Sequence, residues 1–214
     1  YLGRAGFLDG RMGFMLAVYN AETTYYKYLK LMMLHQNRTV RIAVILTTYN
    51  RADALQAALE GYLSQNDKNF ELLIADDGST DETRQLIAFY QKKGVLQIKH
   101  VWQEDEGFRA AKIRNMALAQ TRADYIIFSD GDCIPLPDFI AQHRCLAERK
   151  WFVAGSRILF SEQLTNLVLK DKTFVLQWKM RNWFVARVKK DINRLSPLLS
   201  LPVGNFLRKV AFNN

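Results

Sequence analysis

The run Arg41-Ile-Ala-Val-Ile-Leu-Thr47 sets five consecutive apolar residues between polar ends, and it limits the possible folds more than any other stretch. A half-exposed strand alternates polar and apolar residues. An unbroken apolar run this short reads as a strand buried on both faces, the kind found in a parallel sheet covered by helices. The chain then keeps alternating. Ala52 to Ser64 reads as a helix and Phe70-Glu-Leu-Leu-Ile-Ala75 as a second strand. Ser79-Thr-Asp-Glu82 has capping-box spacing and opens a helix to about Lys93. Leu96 to Trp102 reads as a strand, Phe108 to Gln120 as a helix and Tyr125-Ile-Ile-Phe128 as a strand. Pro135 to Arg149 is mostly helical, and Phe152 to Ile158 is a further strand. This order predicts an α/β fold with a doubly wound, mostly parallel sheet.

Ligands of such sheets bind outside the carboxyl ends of the strands, and the distinctive polar clusters of this sequence fall there. The first strand runs into Thr47-Thr48-Tyr49-Asn50-Arg51 and the second into Asp76-Asp77-Gly78-Ser79. The third leads to Glu104-Asp105-Glu106-Gly107-Phe108-Arg109, with Lys112, Arg114 and Asn115 on the helix behind. The fourth ends in Ser129-Asp130-Gly131-Asp132. Singly, each cluster is also a plain turn, a helix cap or a solvated helix face. At four successive strand ends they converge on one rim and mark a site.

The residue types narrow its chemistry. Two carboxylates beside a nucleoside diphosphate make sense only with a divalent cation between them, and Mg²⁺ or Mn²⁺ takes oxygen ligands of this kind. Asp130 and Asp132 are therefore the candidate metal ligands. The candidate donor-binding residues are Thr47, Tyr49, Asn50, Arg51, Asp76, Asp77, Arg109, Lys112, Arg114 and Asp130. Tyr49 offers an aromatic face for stacking, and Asp76 or Asp77 an acceptor for a base or ribose. A nucleotidyltransferase is disfavoured, because Thr47 to Arg51 is not a glycine-rich phosphate loop.

Charge and composition set further bounds. The chain of 214 residues carries +9, unevenly spread. Residues 1–38 hold five basic residues against Asp9 and Glu22, a balance of +3. From Gln163 onward ten stand against Asp171 and Asp191, a balance of +8, which leaves −2 for 39–162. A nucleic-acid binder would place its positive charge on the main domain, so no nucleic-acid partner is expected. Basic flanks studded with aromatics suit an anionic membrane surface. No run approaches the ~20 apolar residues of a membrane span. The two cysteines, Cys133 and Cys145, are read as free thiols in a reducing compartment.

The flanks read as helical. Tyr25, Tyr26, Tyr28, Leu29, Met32 and Met33 suggest a helix from about Ala21 to Leu34. Beyond Gln163, Leu164, Leu167, Val168, Phe174, Val175, Trp178, Val185, Val188 and Ile192 recur at helical spacings opposite a basic face. Three zones result: a helical tail at 1–38, an α/β half-domain carrying the rim at 39–162, and a basic amphipathic segment at 163–214.

With these residues in place, 40–160 resembles the amino-terminal part of a family 2 glycosyltransferase of the GT-A fold. Thr47-Thr-Tyr-Asn-Arg51 is similar to the family's opening strand-end motif, Asp76-Asp77-Gly78-Ser79 to its nucleoside motif, and Asp130-Gly131-Asp132 to its DxD metal motif. The stretches 104–115 and 130–135 resemble the branch of chondroitin-polymerase-like and bacterial surface-polysaccharide enzymes. The resemblance implies a UDP-sugar donor, Mn²⁺ or Mg²⁺, inversion at the anomeric carbon, and a saccharide or lipid-linked saccharide acceptor. It further implies work on envelope polysaccharide or lipopolysaccharide core, in the cytoplasm, peripheral on the inner face of the membrane. The general base of such enzymes lies in the acceptor half. Gly204-Asn205 resembles the start of that half, and the base is expected beyond Asn214. Residues 1–38 resemble the carboxyl-terminal tail of lipopolysaccharide-core members, so the chain is expected to be a fragment spanning two such domains. The alternative is a non-catalytic module that binds nucleotide sugars or membranes.

Overall fold

The computed structural model describes residues 40–148, 150 and 152–198. The expected helix at 21–34, the tail at 1–38 and the Gly204-Asn205 pair lie outside the described residues.

Four strands and three intervening helices follow one another: β1 (Ile42–Thr48), α1 (Ala52–Leu63), β2 (Phe70–Asp76), α2 (Asp81–Lys93), β3 (Gln97–Trp102), α3 (Ala110–Leu118) and β4 (Tyr125–Asp130). Three helices come next: α4 (Phe139–Leu146), α5 (Glu162–Lys170) and α6 (Met180–Val188). All pairings in the sheet are parallel, in the order β3-β2-β1-β4. The chain winds outward from β1 to β3, then crosses back to lay β4 on the other side of β1. The doubly wound α/β expectation holds.

The period of two along β1 explains its unbroken apolar run. Ile42, Val44 and Leu46 pack with Leu55, Leu59 and Tyr62 of α1 and with Ile87 and Tyr90 of α2. Ala43 and Ile45 face the opposite side, against Ile113 and Ala117 of α3. Both faces of β1 and β2 are thus buried, and a polar residue on either would be desolvated without a partner. Helix α2 carries Asp81 and Glu82 in its first turn and Lys92 and Lys93 in its last, matching the helix dipole. It stops at Gly94, whose φ of 66° closes the helix in the left-handed region.

Three local expectations are corrected. Ser79 is not the cap of α2. Thr80 holds that position, and the Ser79 hydroxyl instead accepts the Asn50 amide at 2.9 Å. The strand expected at 152–158 does not form. A strand needs a paired neighbour, and this segment contains Gly155, which weakens strands. Phe152 stays 83% exposed, and the nearest ladder is one antiparallel bridge, Phe160 to Ile192. The periodic stretch after Gln163 is two helices broken at 171–179, not one continuous pattern. The break resets the helical phase: Trp183 and Ala186 point inward on α6, whereas Leu167, Val185 and Val188 are exposed. The buried residues of this layer, Leu164, Val168, Val175, Trp183, Ala186 and Ile192, cluster with Ala57 of α1. Trp183 meets Trp178 edge to face at 4.8 Å.

Candidate active site

Strand register decides which residues share the rim. Thr48 lies beside Asp76, and Asp76 beside Trp102. On the other side Thr47 pairs with Asp130. The carboxyl ends of β1, β2 and β4 therefore bring the first, second and fourth polar clusters onto one line. Because β4 returns beside β1, the crevice opens at the point where the strand order reverses, the usual ligand position in such sheets.

Two groups form along this line. The first surrounds the turn after β4. The Gly131 amide donates to the Thr47 carbonyl at 2.7 Å, and a Cβ on Gly131 would stand 2.8 Å from that oxygen. No side chain fits there without displacing backbone. The closed turn leaves Asp130 and Asp132 on the surface, with Cys133 half-buried beside them. One ligand atom from each of Asp130, Asp132 and Cys133 falls within 4.8 Å of the others. Arg114, on α3, donates from Nε to Thr47 Oγ1 at 2.8 Å and from Nη2 to Asp130 Oδ1 at 2.9 Å. Arg157 donates to Asp130 Oδ2 at 3.2 Å. Burial pushes the Cys133 thiol up, and the charges of Asp132 and Asp130 add to that against the pull of Arg157.

The donor set suits a divalent cation: two carboxylates on an exposed turn, with one polarizable sulfur at their side. Below them Thr48 Oγ1 is buried with no hydrogen-bond partner among the described residues. Such an atom is usually tolerated only near a group that completes it.

The second group shapes the loops around β2. Asp76 is fully buried; its carboxylate accepts the Ser79 amide and faces His100 Nε2, both at 2.9 Å. Asp77, also buried, accepts the Arg109 amide at 2.8 Å and the Gln103 side-chain amide. Both carboxylates thus hold loops in place. Their oxygens retain lone pairs for a further donor. Tyr49 is half-exposed at the edge, its hydroxyl donating to Asp105 at 2.8 Å. That bond and the Gly107 amide hold the Asp105 carboxyl below the usual range. Asn50 takes a φ of 47° and its side-chain oxygen accepts the Thr80 amide, joining the loops after β1 and β2.

The rim therefore gathers Thr47, Tyr49, Asn50, Asp76, Asp77, Arg114, Asp130 and Asp132. It does not gather every candidate. Arg51 pairs with Asp53 at the start of α1. Arg109 turns its guanidinium to Glu106 and the Glu104 carbonyl. Lys112 is exposed on α3. Arg157 and His100 were missed by sequence reasoning. His100 lies on the face of β3 that meets Asp76, which counting register from the strand ends would have shown. No motif marks Arg157, because its segment has no regular structure to count along. A cleft of about 280 Å³ lined by Arg41, Glu71, Lys99, Gln120 and Arg122 lies at the opposite, amino-terminal end of the strands, away from every candidate residue.

Comparison with known proteins places this arrangement. The family model described as Glycosyl transferase family 2 matches residues 43–211. A validoxylamine A glucosyltransferase of Streptomyces hygroscopicus subsp. jinggangensis is 36% identical over 101 residues, covering 46% of this chain and 24% of that protein. Hyaluronan synthase of Pasteurella multocida is 34% identical over 130 residues, 59% of this chain and 13% of the synthase. Chondroitin synthase of Pasteurella multocida is 31% identical over 100 residues, 46% of this chain and 10% of the synthase. The chain thus spans less than a quarter of the length of each of these relatives. Among solved structures, S. aureus TarS in complex with UDP-GlcNAc has a TM-score of 0.40 at 31% identity, over 43% of this chain and 26% of that one. A mannosyltransferase from Pyrobaculum calidifontis in complex with GDP-Man and Mn²⁺ has a TM-score of 0.49 at 20% identity, over 75% and 49%.

Proposed function

The chain belongs to glycosyl transferase family 2, and from that premise we propose that its rim binds a UDP-sugar with a divalent cation for transfer, with inversion, to a saccharide acceptor. The observation that carries this reading is the paired display of Asp130 and Asp132 on an exposed turn, with Arg114 anchored between Thr47 and Asp130. Asp130 and Asp132 would hold Mn²⁺ or Mg²⁺, which supplies Lewis-acid stabilisation of the departing diphosphate. Arg114 adds a fixed positive charge on the same side, where negative charge grows as the sugar leaves. Tyr49 presents its ring to the uracil, and Asp77, already ordered by Gln103 and the Arg109 amide, accepts from the base or ribose. Asp76 braces the loop from below through Ser79 and His100. Arg51, Arg109 and Lys112 supply a second ring of positive charge once a diphosphate draws them in.

The named relatives that make hyaluronan and chondroitin favour a polysaccharide product, and we assign the chain to envelope polysaccharide or lipopolysaccharide-core synthesis. We read 39–162 as the nucleotide-sugar-binding half-domain, 163–214 as a basic amphipathic segment leading into the acceptor half, and 1–38 as a tail resembling the end of a preceding glycosyltransferase. Among the described residues no helix is long and apolar enough to cross a membrane. Peripheral attachment to the inner face of the cytoplasmic membrane is supported by α6, which exposes Met180, Phe184 and Val188 among Arg181, Arg187, Lys189 and Lys190. Calorimetric titration with UDP, with and without Mn²⁺, tests the donor reading. Metal-stimulated binding is expected; binding indifferent to the metal, or none in folded protein, would overturn it.

A further inference from the structure

Asp130 is over-supplied with cations. One oxygen takes Arg114 and the other takes Arg157, so a divalent cation that binds this carboxylate competes with two guanidinium groups for its charge. A doubly charged ion also repels both of them. The two are not held equally. Arg114 stands on a regular helix, makes a second bond to Thr47, and has a side chain 36% exposed. Arg157 bonds Asp130 through one nitrogen at the longer distance of 3.2 Å, with a side chain 63% exposed. Its backbone, by contrast, is tethered. The Arg194 guanidinium donates to its carbonyl at 3.0 Å, and Leu159 and Asn193 exchange bonds at 3.0 and 3.2 Å. The same nitrogen also reaches Cys133 Sγ at 4.0 Å, a weak contact to a thiol. A tethered backbone under an exposed side chain held through this one nitrogen lets the guanidinium move while its origin stays at the rim.

Resting on the donor reading above, we propose that Arg157 is an exchangeable cation: it holds Asp130 until a divalent ion takes that carboxylate, then transfers to the diphosphate of the incoming nucleotide. The displacement costs one ion pair, and the nucleotide returns it. A guanidinium suits the second half of the exchange, because its planar donors match phosphate oxygens in pairs. Metal and nucleotide are thereby coupled, each binding better in the presence of the other. Arg157 is a positioning residue for the donor, not a residue that takes part in bond making.

The test follows Mn²⁺ by electron paramagnetic resonance, without nucleotide, and UDP by calorimetry in saturating Mn²⁺. Wild type, Arg157→Ala and Arg157→Lys are compared. Arg157→Ala should bind Mn²⁺ alone about two- to fivefold more tightly, the range of an exposed ion pair. The same variant should bind UDP with Mn²⁺ about tenfold more weakly, the worth of a lost charged hydrogen bond. Arg157→Lys should fall between on both counts, since it keeps the charge and loses the paired geometry. Unchanged or weaker Mn²⁺ binding by Arg157→Ala, or unchanged UDP binding, overturns the exchange and leaves the donor reading standing. A folded wild type that binds no UDP with Mn²⁺ overturns both.

Discussion

Gly78 closes the second strand-end cluster, and its replacement by alanine shows how far the rim depends on close backbone approach. Its φ is 94°, in the region where an L side chain is strained, at about 1–2 kcal/mol. The new methyl would also stand 2.6 Å from the Asp105 Cα and 2.7 Å from its amide nitrogen. Neither is the end of a flexible side chain, so the loop must move, at about 1–3 kcal/mol for an overpacked contact. Gly78→Ala should therefore cost about 2–5 kcal/mol in all. Gly94 is the internal control. It has a φ of 66°, and a methyl added there would meet nothing within 4 Å, so Gly94→Ala carries the backbone term alone, about 1–2 kcal/mol. Urea unfolding of both variants at unchanged m measures the difference, which isolates the clash. The same clash displaces the neighbouring Asp77, whose carboxylate we assign to the base or ribose, so UDP affinity should fall in Gly78→Ala and not in Gly94→Ala. Equal stability losses in the two variants would refute the close packing of the loops after β2 and β3.

Three further outcomes are expected. Tyr49→Phe should leave UDP affinity within a few-fold of wild type, while Tyr49→Ala should lose about 1–3 kcal/mol of stacking, read by calorimetry; equal losses would assign the effect to the hydroxyl. Trp183→Ala should cost about 3–5 kcal/mol in urea unfolding, and exposed Phe184→Ala within about 0.5, because Trp183 faces the Ala57 cluster and Phe184 does not. Burial holds the His143 imidazole below its ordinary value, so the folded chain resists a proton that the unfolded chain accepts near pH 6.5. Stability from this source is full above that pH and declines as pH falls toward the folded value. Thermal melts between about pH 7.5 and 5.5 should show that decline, and His143→Gln should flatten it.

The parts of the fold that were legible in the sequence are those governed by local pattern. β1 and β2 are apolar runs because both their faces are covered, and each run ends in the turn residues that carry the rim. The strands at 97–102 and 125–130 followed from the same punctuation. What stayed hidden depends on contacts distant in sequence. Residues 152–158 have strand-like composition, but Gly155 weakens the segment and Asn193 and Arg194 take backbone bonds at its end instead. The phase of α6 depends on a break at 171–179 that periodicity alone bridges, which is why Val185 and Val188 read as inward and Trp183 did not stand out. The carboxylates of the site were legible as strand-end residues. Their partners were not: His100 meets Asp76 by register, Gln103 meets Asp77 across a loop, and Arg157 reaches Asp130 from irregular backbone.

The central claim is that Asp130 and Asp132 tie a divalent cation to a bound nucleoside diphosphate. Its most direct test is a four-way comparison: UDP affinity of wild type and Asp132→Ala, each with and without Mn²⁺. Asp132 is exposed and its removal leaves the buried core untouched, so the variant should fold and melt as wild type does. Mn²⁺ should strengthen UDP binding at least about tenfold in wild type, in line with the loss of a charged interaction, and should have no effect in Asp132→Ala. Equal stimulation by Mn²⁺ in both proteins would contradict the account.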